Sequence, residues 1–220
     1  LDRLFGRCRG VQETFVVLVC VVGAKSKGDC SDSINALGVV QLPVVFIINN
    51  NQWAISLPRD EQSSCETLAQ KAIAGGISCE QVDGNDVIAC YIKIKEAIDR
   101  ARKGKGPYLI ETISYRLSDH TTADDASRYR DEDNVGEAWL KEPMTRLRSL
   151  LLDEFIIDHT GIEQLEKECS DEIDAAVARY LAIPPASPIA MFEYLYETLP
   201  DHYLDQLEQV RNTNLQGGEE

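Results

Sequence analysis

Two short runs constrain this chain most: Thr14 to Val22, TFVVLVCVV, and Pro43 to Ile48, PVVFII. Each is continuously apolar and rich in β-branched residues, with neither the alternation of a half-exposed strand nor the three-four spacing of an amphipathic helix. Such runs suit strands buried on both faces, as in parallel sheets, where crossover helices cover both sides. The longest of them, Phe15 to Val22, falls far short of the roughly 20 residues that a membrane helix needs. No charged leader precedes a signal-like stretch, so no membrane association is expected.

The intervening segments carry helical signals. Ser31 to Val40 reads as one helix and Glu66 to Ala74 as a second, leading into a short strand at Cys79 to Val82. Asp83-Gly84-Asn85-Asp86 then forms a turn and cap, after which Val87, Tyr91, Ile94, Ile98 and Ala101 recur at helical spacing up to Gly104. Lys105-Gly106-Pro107 breaks the chain before Tyr108 to Leu117, which again has strand composition. Four strands alternating with three helices predict an α/β fold built on a doubly wound parallel sheet with right-handed crossovers. The chain opens at Leu1 and enters a buried strand within a few residues, so an N-terminal portion of the fold is expected to be missing.

Beyond the last strand, Ser118 to Asn134 is polar, lacks periodicity and exceeds the usual length of a connection, which marks a functional loop. From Trp139 the pattern is helical. Leu147, Leu150 and Leu151 mark one segment, and Ile162, Leu165, Cys169, Ile173, Val177 and Tyr180 mark the next. Two domains are therefore expected: an α/β part over 1–135 and a helical C-terminal extension over 136–220. A hydrophobic fraction of 44% among 220 residues suffices for one sizeable core plus a small satellite.

Charge excludes some partners. With 37 acidic and 22 basic side chains, a formal net charge of -15 argues against general affinity for nucleic acid or anionic membrane. Any phosphate must be held locally. The seven cysteines, Cys8, Cys20, Cys30, Cys65, Cys79, Cys90 and Cys169, occur singly without metal-ligand spacing and read as reduced thiols.

In open parallel sheets the ligand crevice lies beyond the carboxyl ends of the strands. Three segments there are unusual: Gly23-Ala24-Lys25-Ser26-Lys27-Gly28-Asp29, Asn49-Asn50-Asn51-Gln52-Trp53-Ala54-Ile55-Ser56, and Asp119-His120-Thr121-Thr122-Ala123-Asp124-Asp125. All three are expected on one edge. Together with ETLAQKAIAGG (66–76), QVDGNDV (81–87) and YRLSDHTTADDASRYR (115–130), these stretches resemble the alpha subunit of 2-oxo acid dehydrogenases, the decarboxylating component of the pyruvate and branched-chain complexes. The similarity runs from about Gly23 to about Leu199 and is somewhat greater to the bacterial pyruvate enzymes.

The resemblance implies a thiamine-diphosphate-binding fold, incomplete at its N-terminus and followed by C-terminal helices. It implies thiamine diphosphate and Mg2+ as cofactors and a 2-oxo acid substrate. The partners implied are a beta subunit, in an assembly of two alpha and two beta chains, and a lipoyl-bearing acyltransferase that accepts the acyl group. Location would be cytoplasmic in a bacterium or the mitochondrial matrix in a eukaryote. In such enzymes the cofactor carries the hard chemistry while the protein orients it and excludes water.

The same resemblance assigns residues. Gly23 and Ala24 would lie against the cofactor, Asn51 would give magnesium an amide oxygen, and Trp53 would give it a backbone carbonyl. Magnesium prefers hard oxygen ligands of this kind. His120 would contact the diphosphate and assist proton transfer, work suited to an imidazole. Arg116, Asp124, Tyr129 and Arg130 would order the loop around it through charge-assisted hydrogen bonds. Thr121 stands where animal relatives are phosphorylated on serine, so no comparable regulation is expected.

One departure matters. The family's acidic metal ligand falls at Val22, which offers neither charge nor lone pair, so metal binding should be weakened. Lys27, where the family usually has glutamate or glutamine, places an ammonium near the phosphates but does not reproduce octahedral coordination. Two further readings therefore stand beside pyruvate dehydrogenase: a branched-chain 2-oxo acid dehydrogenase alpha subunit, and a catalytically inactive fragment.

Without the surrounding motif these residues have plainer meanings. A loop histidine is usually solvated, an asparagine run is usually a turn or cap, and a lone glycine is usually a turn residue. Trp139 reads as a packing aromatic, His159 and His202 carry no assigned role, and the acidic clusters read as solvated helix faces. An ordinary nucleotide-binding domain is disfavoured, since no GxGxxG follows the first strand and no P-loop glycine-lysine pair occurs.

Overall fold

The computed structural model describes residues 15–21, 23 and 28–216. Val22, Ala24 and Lys27, all singled out above, lie outside the described residues. The chain divides into two compact units, one through Ile156 and one from Ile157.

The first unit holds a four-stranded, all-parallel sheet. Its strands are β1 (Val16–Val21), β2 (Val44–Asn50), β5 (Ser78–Asp83) and β6 (Tyr108–Ile113), in spatial order β1-β2-β6-β5. The helices α1 (Gly28–Val40), α3 (Gln70–Ala74) and α4 (Val87–Arg102) connect them, as the alternation of strand and helix signals predicts. Two elements were not legible in the sequence: a short antiparallel pair, β3 (Trp53–Ala54) with β4 (Leu57–Pro58), and the single turn α2 (Arg59–Gln62). The strand predicted through Leu117 ends at Ile113, and the second helix begins at Gln70 rather than Glu66.

Strand periodicity sorts the core into two layers. Val44, Phe46 and Ile48 of β2 and Leu109 of β6 face α1 and α3, where Ile34, Leu37, Leu68 and Ala72 bury against them. Val45 and Ile110 face the other way, onto Ala97 and Ala101 of α4. Both faces of β2 and β6 are thus covered, as the unbroken apolar run of β2 requires. β1 departs from that expectation: Val17, Val19 and Val21 are exposed, Val19 by 65%. They share the face on which α4 packs over β2, β5 and β6, and β1 lies beyond α4's reach at the sheet edge.

The stripe expected on α4 is also rotated. Cys90, Ile94, Ala97, Ile98 and Ala101 face the sheet, whereas Val87 and Tyr91 point outward. Asp86 caps this helix, accepting from the N–H groups of Ile88 and Ala89 at 3.0 Å each. Arg100 and Arg102 sit in its last turn, where positive charge suits the helix dipole.

α5 (Glu132–Trp139) and α6 (Pro143–Asp153) belong to the first unit. Arg146 ties α6 to the end of β5 by an ion pair with Asp83 at 2.7 Å. That hydrogen bond, followed by one from the Asn85 N–H, holds the Asp83 carboxyl below the usual aspartate range. Trp139 is 54% exposed rather than packed.

The second unit comprises α7 (His159–Leu181), α8 (Ala190–Glu193) and α9 (Leu204–Gln216). The predicted apolar residues of α7 recur as expected, yet Leu165, Ile173, Val177 and Tyr180 are all exposed. No helix among the described residues is long and apolar enough to cross a membrane.

The approach of α1 to the end of α3 depends on glycine. A Cβ on Gly38 would lie 2.0 Å from the Gly75 carbonyl oxygen, and backbone cannot yield as a flexible side chain would. Gly38→Ala is therefore expected to destabilise the chain by about 1–3 kcal/mol, the usual cost of overpacking. Urea denaturation checks this, and an unchanged midpoint would refute the tight α1–α3 contact.

Candidate functional site

The carboxyl edge of the sheet is where β2 and β6 stop pairing as regular strands and continue as turns. Beyond the strands, Ser114 N donates to Asn50 O at 2.9 Å and Arg116 N donates to Asn51 O at 3.1 Å. These two bonds lay the Asn51–Ile55 turn and the Arg116–Arg130 loop side by side, although sixty-odd residues separate them in sequence.

Two successive side-chain turns shape the first segment. Asn50 Oδ1 accepts from Gln52 N at 3.1 Å, and Asn51 Oδ1 accepts from Trp53 N at 3.2 Å. Asparagine favours this local bonding. The chain passes through left-handed backbone at Gln52 (φ 69°) and again at Ile55 (φ 57°). For a β-branched residue such a φ is a real strain, and it needs a fixed environment to persist. Part of that environment is Arg116, whose Nη1 donates to Ile55 O at 2.8 Å.

Arg116 also organises the long loop. Its Nη2 donates to Tyr129 OH at 2.6 Å and its Nε to Ser118 O at 3.2 Å. Tyr129 OH in turn donates to Asp124 Oδ2 at 2.5 Å, and the same oxygen accepts from His120 N at 2.8 Å. Arg130 closes the base of the loop, donating to the carbonyls of Arg116, Leu117 (3.0 Å) and Ser118 (3.2 Å). Asp119 Oδ1 accepts from the buried Ala126 N at 3.0 Å. Trp53 packs on Tyr129 with ring centroids 5.5 Å apart, and the Arg116 guanidinium lies 6.0 Å from the Trp53 ring.

The structure therefore brings Asn51, Trp53, Arg116, Asp124, Tyr129 and Arg130 into one neighbourhood, with His120 on its rim. Asp124 fixes the main chain at His120 and leaves the imidazole exposed. Gly23 lies near the same turn, since a Cβ placed on it would sit 3.6 Å from Ala54 Cβ, an ordinary contact. Gly23 is thus not required by crowding. Of the described residues, no group of three or more His, Cys, Asp or Glu side chains is arranged to hold a metal ion.

Behind this turn opens a cavity of about 780 Å3, lined by Asn50, Trp53, Gln81, Glu111, Glu137 and Lys141 among others. Neither Asn51 nor His120 lines it. Trp53 Nε1 is buried and has no hydrogen-bond partner among the described residues. Sequence reasoning missed Glu111, a fully buried carboxylate in the wall of this cavity. The signal was available: in YLIETI, strand period puts Glu111 on the same inward face as Leu109, an acid where an apolar residue is expected.

A parallel sheet with polar turns gathered at its carboxyl edge is the architecture of ligand-binding α/β domains. A family model described as Dehydrogenase E1 component matches residues 7–188. The pyruvate dehydrogenase E1 component subunit alpha of Staphylococcus aureus is 40% identical over 187 residues, 84% of this chain and 50% of that protein. The 3-methyl-2-oxobutanoate dehydrogenase subunit alpha of Mycobacterium tuberculosis is 39% identical over 192 residues, 86% of this chain and 52% of that protein. The chain belongs to the dehydrogenase E1 component family, and it spans about half the length of the curated relatives it matches.

The loop network titrates in a definite direction. The Tyr129 hydrogen bond, then the His120 N–H, hold the Asp124 carboxyl below the usual aspartate range. A lowered value in the folded state means that Asp124 contributes fully above the ordinary aspartate range. The contribution is lost as pH falls through the lowered value. Hydrogen exchange at His120 N–H, corrected for the intrinsic rate, should speed up several-fold over that acidic interval. Asp124→Asn should show the faster exchange already at neutral pH. Equal exchange in the two proteins at neutral pH would contradict the network.

Proposed function

We propose that this chain acts as the alpha subunit of a thiamine-diphosphate-dependent 2-oxo acid dehydrogenase. Its substrate would be pyruvate, with decarboxylation followed by reductive acylation of a lipoyl group. The observation that carries the reading is the side-chain network that holds the Arg116–Arg130 loop against the Asn51–Trp53 turn. That network keeps His120 and two oxygen donors at the sheet edge where the fold places its ligands.

The donor chemistry fits the cofactor group in part. Asn51 Oδ1 and the Trp53 carbonyl are hard, neutral oxygens of the kind magnesium accepts beside phosphates. A carboxylate is missing from the set, because its position is Val22. Thiamine diphosphate would supply a carbanion that adds to the keto carbon and holds the electrons released with carbon dioxide. The chain's own contribution is to hold and desolvate. Asn51 and Trp53 would fix the diphosphate end through magnesium, with Gly23 and Ala24 alongside. His120 would exchange a proton at the reacting oxygen, and Arg116, Asp124, Tyr129 and Arg130 would keep its main chain in place.

A beta subunit would complete the site, in an assembly of two alpha and two beta chains, and a lipoyl-bearing acyltransferase would take the acyl group. Nearly equal identity to the mycobacterial 3-methyl-2-oxobutanoate enzyme supports a second reading, a branched-chain 2-oxo acid as substrate. Val22 supports a third, a chain that keeps the fold and its contacts without turnover.

Calorimetric titration of thiamine diphosphate and magnesium into this chain mixed with a matching beta subunit tests these readings. Binding that drops at least about tenfold in Asn51→Ala, the loss expected on removing one of few metal ligands, supports a working site, as does a loss of turnover in His120→Ala. Absence of binding in the natural chain with recovery in Val22→Asp would identify an intact scaffold lacking its metal carboxylate. Absence of binding in both would sink the cofactor assignment.

A further inference from the structure

Glu111 is fully buried in β6, and among the described residues no ion pair with a cation is seen at it. Three donors converge on it instead. Asn50 Nδ2 reaches Oε1 at 2.7 Å, while Ala69 N reaches Oε2 at 2.9 Å and Gln81 Nε2 reaches the same oxygen at 3.0 Å. A buried carboxylate left unpaired is costly, so a site of this kind persists only where the donors are already in place. Those donors come from β2, from the start of α3 and from β5. Glu111 is therefore the point at which four elements of the carboxyl edge are fastened together.

The Asn50 arm continues outward. Asn50 is itself buried, and its two amide ends have different partners: Nδ2 donates to Glu111, and Oδ1 accepts from Gln52 N at 3.1 Å. Only one orientation of the amide satisfies both, because the Gln52 N–H can only donate and the carboxylate oxygen accepts. Rotating the amide would set its NH2 against the Gln52 N–H and its oxygen against the carboxylate. The acceptor oxygen of Glu111 thereby dictates which way Asn50 points. Asn50 in turn holds the Gln52 backbone in its left-handed conformation at φ 69°, one residue from each of the oxygens assigned to the metal.

We propose that Glu111 is a positioning residue for the candidate site. Through Asn50 it fixes the backbone course of the turn that presents Asn51 and Trp53. This deepens the reading given under Proposed function and rests on it for the purpose of the turn. The relay itself is a matter of hydrogen bonds. Glu111 touches neither Asn51 nor Trp53 in this relay, so its effect is transmitted and differs from that of a ligand.

The test is amide-resolved hydrogen exchange on the full chain. Glu111→Gln replaces one acceptor oxygen with a donor and leaves at least one of the three N–H groups facing another. Exchange at Gln52 N–H should rise by about tenfold or more, the scale of one unmet buried hydrogen bond, while amides at the sheet centre such as Ile48 and Ile110 stay unchanged. Gln81→Ala removes a donor from Oε2 only and should leave Gln52 protected. The double variant Asn50→Asp with Glu111→Gln reverses the polarity of the pair: the new amide donates to the new carboxylate, whose second oxygen still accepts from Gln52 N. It should restore protection, which a merely space-filling role for Glu111 would not explain. Unaltered Gln52 exchange in Glu111→Gln, or failure of the double variant to restore it, overturns the proposal. If Glu111→Gln does not fold, the double variant decides alone: a folded chain with Gln52 protected supports the relay, and any other result overturns it. Magnesium and thiamine diphosphate titrated into the natural chain and Val22→Asp, each mixed with a matching beta subunit, address the other question. No binding to either, with the exchange pattern as expected, removes the functional reading and leaves the relay standing.

Discussion

The parallel pairing of β2 with β6 is the constraint on which the rest of this molecule depends. These two strands are central in the sheet, and they come from segments about sixty residues apart. Their register sets Val45 opposite Tyr108 and Asn50 opposite Ile113, which fixes where each strand gives way to its turn. The pairing then runs on beyond the strands through Ser114 and Arg116, so the Asn51 turn and the Arg116 loop share a course before any side chain is considered. A slip of β6 by one residue would turn Glu111 away from Asn50 and onto the α4 face, where the side chains of Ala97 and Ala101 offer no donors.

Much of this was legible because burial leaves a strong pattern. The unbroken apolar runs at Val16–Val21 and Val44–Ile48 reported parallel strands, and Asp86 with Gly104 bounded α4 through ordinary capping chemistry. What escaped has physical reasons as well. The β3–β4 pair is joined by a turn of only two residues, and the left-handed Ile55 in that turn contradicts local preference. Nothing in the composition of that segment indicates that a distant arginine holds it. The exposure of β1 and the rotation of the α4 stripe depend on which strand lies at an edge, and periodicity within a segment carries no information about that.

The candidate site shows the same division between local and non-local information. Arg116, Asp124, Tyr129 and Arg130 stand within fifteen residues of one another, and a family-like motif singled them out as a set; the hydrogen bonds among them are mostly loop-local. Glu111 belongs to no such set. Its partners lie on β2, at the start of α3 and on β5, and only a folded sheet assembles them. A lone acid in a strand is the trace such a hub leaves in sequence, and that trace identifies a residue with unusual needs without saying who meets them.

Glu111 and Arg116 solve opposite problems with the same economy of chain. Arg116 is a donor-only group at a half-exposed edge, and it collects carbonyl and hydroxyl oxygens from both the turn and the loop. Glu111 accepts only, sits fully buried one layer beneath, and collects N–H groups from three directions. Both are three strand positions or fewer from the point where β6 ends, and the Asn50–Ile55 segment is held between them, by Asn50 from below and by Ile55 from above. Two left-handed residues, Gln52 and Ile55, lie in that short segment, so its free conformation would differ from the one seen here. The shape of the turn is therefore imposed by tertiary structure. That arrangement suits a segment whose oxygens must be in place before a ligand arrives, since order supplied by the fold does not have to be supplied by binding.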